Sequence, residues 1–241
     1  MKPFHFKQFS IEQDSCAMKV TLDACLFGAL CEIQQAKNIL DIGTGTGLLA
    51  LMCAQRSQAK VHAIELDYAA SQQATQNLSN SRFSDRIRVY QQNIKEYLGS
   101  HLYDHIVCNP PFFSDHLKGP NKQRNQARHN DQLSFSQLCQ SMSKHLSHDG
   151  KAWILLPCSE FNRFIQAANE QGLNLSQVWQ LHSRPNKEAH RYVFSLEKAS
   201  AQNSIGLVAL DKKQPVFIYE LSGNHYSEQF KSLLADFYLK L

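Results

Sequence analysis

The stretch "LDIGTGTGLL", residues 40–49, joins an apolar run to a segment with helical periodicity. Glycine occupies three alternate positions in it, Gly43, Gly45 and Gly47. Because glycine has no Cβ, the backbone can turn tightly here and can approach a ligand closely. Dinucleotide-binding turns have the spacing G-x-G-x-x-G, which this stretch does not match. The stretch predicts a ligand-binding turn between a strand and a helix, and a turn that only connects the two is the alternative.

Apolar runs of strand length alternate with helical segments on both sides of this turn. Such alternation indicates right-handed βαβ units and a parallel sheet that is covered by helices on both faces. The predicted strands are 37–42, 60–66, 86–92, 104–108 and 151–157, and the predicted helices are 46–56, 68–80, 93–98 and 134–147.

The C-terminal part of the chain shows a different pattern. Segments 175–184 and 190–198 have strand character with no long helix between them, which predicts an antiparallel hairpin at the end of the sheet. A second pair of strand-like segments follows, 205–210 and 215–220, and after it an amphipathic helix is predicted from about 226. We expect an α/β fold with a doubly wound, mostly parallel, seven-stranded sheet.

Composition and organisation indicate one globular domain. Of the 241 residues, 43% are hydrophobic and 19% charged, as in ordinary globular proteins. The chain shows no signal-peptide pattern and no apolar stretch near the ~18 residues that a membrane span needs, so we expect a complete, cytoplasmic protein. The predicted parts of this single domain, 1–241, are an N-terminal segment over the ligand site, a core, and a C-terminal hairpin with a helix (1–36, 37–200 and 201–241).

The cysteine content and the net charge bear on which kinds of site and partner the protein could have. The seven cysteines are scattered and odd in number, with no C-x-x-C pair, so we expect reduced, buried thiols rather than disulfides or a zinc site. The formal net charge of +4 is compatible with an anionic partner but does not require one.

Glu65 ends the second predicted strand, roughly 20 residues beyond the first glycine of the turn, where folds of this kind hold a ribose. A carboxylate at this position can accept hydrogen bonds from two adjacent hydroxyls, and such charge-assisted bonds are strong. The alternative is a solvated strand end. Its distance from the turn favours the binding interpretation.

The tetrapeptide "NPPF", Asn109 to Phe112, follows the fourth predicted strand at the carboxyl edge of the sheet, where open α/β folds bind ligands. The Asn109 side-chain oxygen and the Pro110 carbonyl could accept both N–H groups of an exocyclic amine and aim its lone pair at an electrophile. The fixed φ of proline stiffens this presentation. Phe112 would stack on the base, a contact worth roughly 1–3 kcal/mol. A plain turn is the alternative.

Positive charge clusters just after this motif, in residues 114–131. A polar loop of this kind can grip a phosphate backbone while a base enters the pocket, although loops are often charged for solubility alone. The basic residues concerned are Lys118, Lys122, Arg124 and Arg128, and the later segment 182–191 adds Arg184, Lys187 and Arg191.

Together these motifs resemble a known family. The turn is similar to the S-adenosylmethionine loop of class I methyltransferases, and "NPPF" is similar to the [D/N]-P-P-[Y/F/W] motif of amino-directed methyltransferases. Segments 6–29, 40–56, 122–129 and 224–241 resemble the bacterial tRNA1(Val) adenine N6-methyltransferases, which modify adenosine 37, next to the anticodon. The resemblance spans essentially the whole chain. It implies a Rossmann-like class I methyltransferase fold.

The resemblance also implies roles for individual residues. The expected cofactor is S-adenosyl-L-methionine with product S-adenosyl-L-homocysteine, the partner is tRNA, and neither a metal nor a membrane is involved. Expected cofactor contacts are Lys19, Asp23, Asp41, Gly43, Thr44, Gly45, Gly47, Glu65, Leu66 and Asn93; expected catalytic residues are Asn109, Pro110, Pro111 and Phe112; expected RNA contacts are Phe113, Lys118, Lys122, Arg124 and Arg128.

Two positions depart from the family pattern. Leu22 stands where a threonine hydroxyl is expected, and Asn93 stands where an aspartate usually accepts a bond from the cofactor adenine. An amide oxygen can still accept that bond, but without charge assistance.

Other functions remain open from the sequence. N5-methylation of a protein glutamine could use the same Asn-Pro-Pro-aromatic pocket, but that family carries a helical domain ahead of its cofactor loop, whereas only residues 1–36 precede the first predicted strand here. Amino-methylation of rRNA or DNA is a further alternative. A non-catalytic RNA-binding protein is disfavoured by the intact Asn109 and Pro110. The sequence leaves both monomer and homodimer open.

Overall fold

The computed structural model describes residues 2–14, 19–99, 101–110, 133–199 and 213–241. An eight-stranded sheet dominates the described residues, with the strand order β10-β8-β9-β7-β6-β3-β4-β5. Its strands are β3 (Asn38–Ile42), β4 (Lys60–Glu65), β5 (Ile87–Gln91), β6 (Tyr103–Cys108), β7 (Leu146–Pro157), β8 (Leu173–His182), β9 (Ala189–Lys198) and β10 (Gln214–Phe217).

Parallel pairing joins β5, β4, β3, β6 and β7, whereas β9 runs antiparallel to both β7 and β8. The mostly parallel α/β sheet and the antiparallel hairpin near the C-terminus are therefore confirmed. The sheet has eight strands instead of the expected seven, because β10 adds to the edge in parallel with β8. Segment 205–210, the predicted partner of 215–220, lies outside the described residues.

Helices cover both faces of the sheet. They are α1 (Leu22–Leu30), α2 (Leu48–Arg56), α3 (Tyr68–Ser79), α4 (Phe135–His145), α5 (Phe161–Glu170) and α6 (Glu228–Leu234), with a 3-10 turn at Cys158–Glu160. Two apolar cores result, one on each face, and alternate residues of β6 enter different cores: Val107 packs with α1 and α2, and Cys108 packs with α4.

Three local predictions need correction. Residues 93–98 form a single turn rather than a helix: the Asn93 side chain accepts from the Lys95 amide (3.0 Å), as a helix cap does, and the Glu96 and Tyr97 amides donate to the Asn93 carbonyl, but the helical pattern does not continue. Helices α1 and α5 were not predicted. Helix α1 has no polar face for periodicity to detect, since seven of its nine residues are buried. Strand β7 begins at Leu146 rather than 151.

The N-terminal residues form a small hairpin, β1 (Phe4–His5) and β2 (Ser10–Ile11), separate from the main sheet. Phe6 and Phe9 are buried, and the Phe6 ring lies against Tyr238 after α6, with ring centroids 5.8 Å apart. The two ends of the chain therefore share one apolar cluster beside α1 and α2. The cysteine prediction is confirmed for the described positions, where six thiols are free and five of them are buried.

Candidate active site

The β3–α2 turn begins the site. Its three glycines all have positive φ, a conformation that side chains with Cβ rarely adopt: Gly43 71°, Gly45 55° and Gly47 84°. The Gly43 amide donates to the carbonyl of Ile64 (2.9 Å), which fixes the turn to the end of β4. A Cβ added at Gly43 would meet nothing within 4 Å, whereas at Gly47 it would come within 3.3 Å of Leu78. Open space therefore lies in front of the turn, and α3 packs against its far end.

Asp41 is fully buried at the end of β3. The Thr44 hydroxyl donates to its Oδ2 atom at 2.6 Å, while Oδ1 is buried without a hydrogen-bond partner among the described residues. Burial raises the pKa of Asp41 to about 7; the Thr44 bond opposes that rise, and the neighbouring Glu65 charge adds to it. The predicted cofactor residues Asp41 and Thr44 thus form one buried pair beneath the turn.

Glu65 ends β4 and reaches across to the turn. One carboxylate oxygen accepts from the Gly45 amide (2.9 Å), and the other accepts from the Asp67 amide (3.0 Å). A carboxylate has about four acceptor positions, so Glu65 retains capacity for two hydroxyl donors. These backbone bonds fix the orientation of the carboxylate before any ligand binds.

A pocket of about 290 Å³ opens between the ends of β4, β5 and β6. Its apolar floor is contributed by both the sheet and α4. Five predicted site residues line it, namely Gly43, Glu65, Leu66, Asn93 and Pro110, together with residues that were not predicted: Ile42, Ile64, Asp67, Gln92, Ile94, Lys95, Cys108, Leu133, Phe135 and Leu138. The sequence prediction thus includes five of the fifteen lining residues, with Glu65 and Asn93 among the polar ones, and it missed those contributed by α4.

Phe135 and Leu138 reach the pocket because of how α4 begins. Ser134 caps the helix: its hydroxyl accepts from the Gln137 amide, and the Gln137 side chain accepts from the Ser134 amide in return. This capping box starts α4 at Phe135, so residues three apart share the face toward the pocket. The "SFSQ" capping signal could have placed the start of α4 at Phe135, with Phe135 and Leu138 on one face, but it does not show that this face meets the pocket.

Asn109 follows β6 at the same edge of the sheet, because Cys108 pairs in register with Ile42 and Ile154. Its Oδ1 atom is buried and has no hydrogen-bond partner among the described residues. Leaving a buried acceptor unpaired typically costs about 1–3 kcal/mol. The adjoining Pro110 is buried and lines the pocket. Within the described residues, this oxygen is therefore available to accept a hydrogen bond from a ligand.

Asp23 lies on α1 and pairs with the first residues of β9. Its carboxylate is 3.0 Å from His190 Nε2 and accepts from Arg191 Nε at 2.8 Å. Burial alone would raise the pKa of Asp23, but His190 and Arg191 outweigh it and hold the pKa below its usual value. Since Arg191 faces Pro157, the last residue of β7, this cluster also lies at the carboxyl edge of the sheet.

Leu22, which replaces the threonine expected from the family pattern, is the first residue of α1. Thr21, one position earlier, supplies a hydroxyl that accepts from the Ala24 amide (3.2 Å) and caps α1. Leu22 packs against the apolar core instead. Lys19 is exposed just ahead of these residues. Cofactor contact by Lys19 or Asp23 stays a prediction.

Seven predicted site residues lie outside the described part of the chain: Pro111, Phe112, Phe113, Lys118, Lys122, Arg124 and Arg128. On the β8–β9 turn, Lys187 is exposed, and Arg184 donates to the Glu220 carbonyl (2.9 Å) with its guanidinium 5.3 Å from the Tyr219 ring centroid.

Comparison with known proteins identifies the family. Residues 24–157 match the family model described as methyltransferase small domain. The tRNA1(Val) (adenine(37)-N6)-methyltransferase of Pseudoalteromonas translucida is 42% identical over 243 residues and covers 100% of both chains. The corresponding protein of Dyadobacter fermentans is 40% identical over 238 residues, 98% of this chain and 97% of the relative. The chain belongs to the tRNA1(Val) (adenine(37)-N6)-methyltransferase family.

Solved methyltransferases share the fold of this family member. A predicted O-methyltransferase from Agrobacterium tumefaciens superposes with a TM-score of 0.65 at 19% identity, covering 89% of this chain and 96% of the other. A methyltransferase from Pyrococcus furiosus gives a TM-score of 0.60 at 19% identity, with 80% and 90% covered. The expected class I methyltransferase fold is confirmed.

Metal binding and membrane insertion are two further properties that side-chain grouping and helix length can indicate. Within the described ranges, no three His, Cys, Asp or Glu side chains are grouped so that they could hold a metal ion. The helices in the same ranges include none with the length and apolar character needed to cross a bilayer.

Proposed function

We propose that this protein transfers a methyl group from S-adenosyl-L-methionine to N6 of adenosine 37 in tRNA1(Val). The observation that carries the proposal is the buried Oδ1 atom of Asn109, which has no hydrogen-bond partner among the described residues and directly precedes the pocket-lining Pro110. The full-length identity to enzymes named for this reaction supports the choice of substrate.

The residues around the pocket suit the proposed cofactor. Glu65 offers a preoriented carboxylate to a ribose, and Asn93 offers an amide to an adenine edge, while Ile64 and Leu138 provide an apolar surface for a planar base. The open space before Gly43 admits a chain close to the backbone. Bound S-adenosyl-L-methionine would supply an electrophilic methyl group on a sulfonium.

Asn109 and Pro110 would act on the amine of the target adenine. The Asn109 oxygen and the Pro110 carbonyl accept its two N–H groups and draw the nitrogen toward tetrahedral geometry, which frees the lone pair from the ring. A bond from N6 to the methyl carbon forms as the carbon–sulfur bond breaks, and one proton leaves the cationic product afterwards. Because proline has a fixed φ, the main chain that presents the Pro110 carbonyl should need little reorganisation in the reaction.

Recognition of tRNA would come from groups beyond the pocket. We assign stacking on the base to Phe112 and Phe113, and phosphate contacts to Lys118, Lys122, Arg124 and Arg128, on the sequence pattern and the family relationship. Extrusion of the target adenosine would bring it to this edge of the sheet. We also propose tRNA as the partner and the cytoplasm as the location, because the proposed substrate is a tRNA.

Mapping of transferred label tests the function directly. The purified protein is incubated with methyl-labelled S-adenosyl-L-methionine and total tRNA from a strain that lacks the enzyme. We expect label in N6-methyladenosine at position 37 of tRNA1(Val). Label at another nucleotide would move the substrate assignment, and label in protein glutamine would favour the alternative chemistry. RNA transcribed with guanosine at position 37 is the matched control.

A further inference from the structure

Asn77 is a buried asparagine in the last turns of α3, with 3% of its surface exposed. Its side chain forms three hydrogen bonds to main-chain atoms outside its own helix. Oδ1 accepts from the Glu12 amide (3.0 Å), and Nδ2 donates to the carbonyls of Glu12 (2.8 Å) and Thr46 (2.9 Å). One amide therefore joins α3, the β3–α2 turn and the N-terminal region.

The bond to Thr46 fixes the rear of the glycine turn. Thr46 directly precedes Gly47, which starts α2 with a left-handed φ. The neighbouring Leu78 would be 3.3 Å from a Cβ at Gly47, so two consecutive residues of α3 contact two consecutive residues of the turn. Displacing α3 would thus release the turn that we propose binds the cofactor.

The bonds to Glu12 fix residues on the other side of the turn. Both main-chain polar groups of Glu12 pair with Asn77, in the manner of an additional strand residue. The next side chain, Gln13, accepts from the Val20 amide at 2.9 Å. Val20 follows Lys19, a predicted cofactor contact, and precedes the cap of α1 at Thr21. These hydrogen bonds, together with the peptide link from Glu12 to Gln13, therefore connect the turn to Val20, the residue after Lys19.

A buried asparagine with satisfied bonds is most often structural. Here, however, all three bonds leave α3: one holds the glycine turn predicted to contact the cofactor, and two hold Glu12, next to the Gln13 side chain that bonds to Val20 beside Lys19. We infer that Asn77 is a positioning residue for cofactor binding, which orders the glycine turn and the Lys19 region together. This inference rests on the proposed function, because it takes S-adenosyl-L-methionine as the ligand of the turn.

The first test compares Asn77→Ala with Asn80→Ala, an exposed asparagine at the end of the same helix. The dissociation constant for S-adenosyl-L-homocysteine, measured by calorimetry, should rise roughly 10-fold or more in Asn77→Ala, as expected for lost hydrogen bonds. The KM for tRNA should stay within about twofold, and Asn80→Ala should match the wild type. Unchanged cofactor affinity in a folded Asn77→Ala, or equal losses for both substrates, would overturn the inference.

A second measurement needs only the wild-type protein and stands even if Asn77→Ala fails to fold. Amide hydrogen exchange at Glu12 and Val20 should slow when S-adenosyl-L-homocysteine binds, because the coupled segments become ordered together. Unchanged exchange at both amides, with binding demonstrated by calorimetry, would contradict the coupling. Absence of any binding to the wild type would instead count against the proposed function.

Discussion

At the carboxyl edge of the sheet, the β4 side and the β6 side hold their polar side chains differently. On the β4 side, both carboxylate oxygens of Glu65 accept backbone amides, and the Asn93 oxygen accepts from Lys95. On the β6 side, the Asn109 oxygen is buried with no partner among the described residues. The first arrangement fixes geometry at no electrostatic cost, whereas the second keeps an acceptor unsatisfied.

The difference suits the two proposed ligands. A cofactor with a constant shape is bound best by preoriented groups, since less order is lost on binding. The target amine must instead receive interactions that strengthen as its geometry changes, so an acceptor without a competing partner is more useful. Activity and stability should therefore respond differently to changes on the two sides.

Asn109→Ala should produce the largest effect. We expect kcat to fall by at least roughly 100-fold, as for removal of a preorganised catalytic group, with cofactor affinity within about twofold. The free energy of unfolding should not fall, because the deleted oxygen forms no bond within the described structure. Single-turnover methylation and urea unfolding measure the two quantities.

The control is Asn109→Asp, which keeps an oxygen acceptor and should retain more activity than Asn109→Ala. Undiminished turnover in Asn109→Ala would remove this group from the mechanism.

Glu65→Gln should have the second-largest effect, and this effect should be on cofactor binding rather than on methyl transfer. Loss of charge-assisted acceptors should weaken S-adenosyl-L-homocysteine binding roughly 10- to 100-fold, while kcat at saturating cofactor changes little. Calorimetry and steady-state kinetics separate these effects. A fall in kcat without a change in affinity would contradict the division between the two sides.

Asp41 is the exception on the cofactor side, because its Oδ1 also lacks a partner among the described residues. Its pKa of about 7 in the folded protein exceeds the unfolded value of ~3.9. Above ~3.9 the unfolded state has lost this proton while the folded state keeps it, so stability falls as pH rises toward the folded pKa. Between pH 6 and 8 the loss should be on the order of 1 kcal/mol.

Asp41→Asn removes this titration. Urea unfolding without cofactor, at pH 6 and pH 8, should show a smaller fall in stability for Asp41→Asn than for the wild type. Equal pH dependence in the two proteins would mean that Asp41 is ionised in the fold.

Asn93→Asp should have the smallest effect, and it should strengthen cofactor binding rather than weaken it. A carboxylate would keep the bond from Lys95 and add charge assistance toward the adenine, so cofactor affinity should improve by about threefold. Titration with S-adenosyl-L-homocysteine measures the change, and Asn93→Ala should bind more weakly than the wild type. Weaker binding by Asn93→Asp would indicate that repulsion from Glu65 and Asp67 outweighs the gained bond.

Much of the site followed from short-range patterns. The glycine spacing gave a turn with three positive φ angles, and the apolar runs placed Glu65 and Asn109 at strand ends. Periodicity failed where burial is complete or the segment is short. Helix α1 lacks a polar face, and 93–98 forms a single turn that does not continue into a helix. Helix α5 was missed although its buried residues, Phe161, Phe164 and Ala168, have helical spacing.

The sequence alone determined the α/β class, the position of the glycine turn and the positions of Glu65 and Asn109 at strand ends, because each depends on residue type and spacing within a few turns or strands. Only the tertiary structure decided that Phe135 and Leu138 form the pocket floor, that Asp23 pairs with His190 and Arg191, and that Asn77 joins the turn to Glu12. These contacts link residues 65 or more positions apart along the chain, or depend on which face of a helix meets the sheet. Strand order and packing on both faces of the sheet fix them, and no local pattern encodes that geometry.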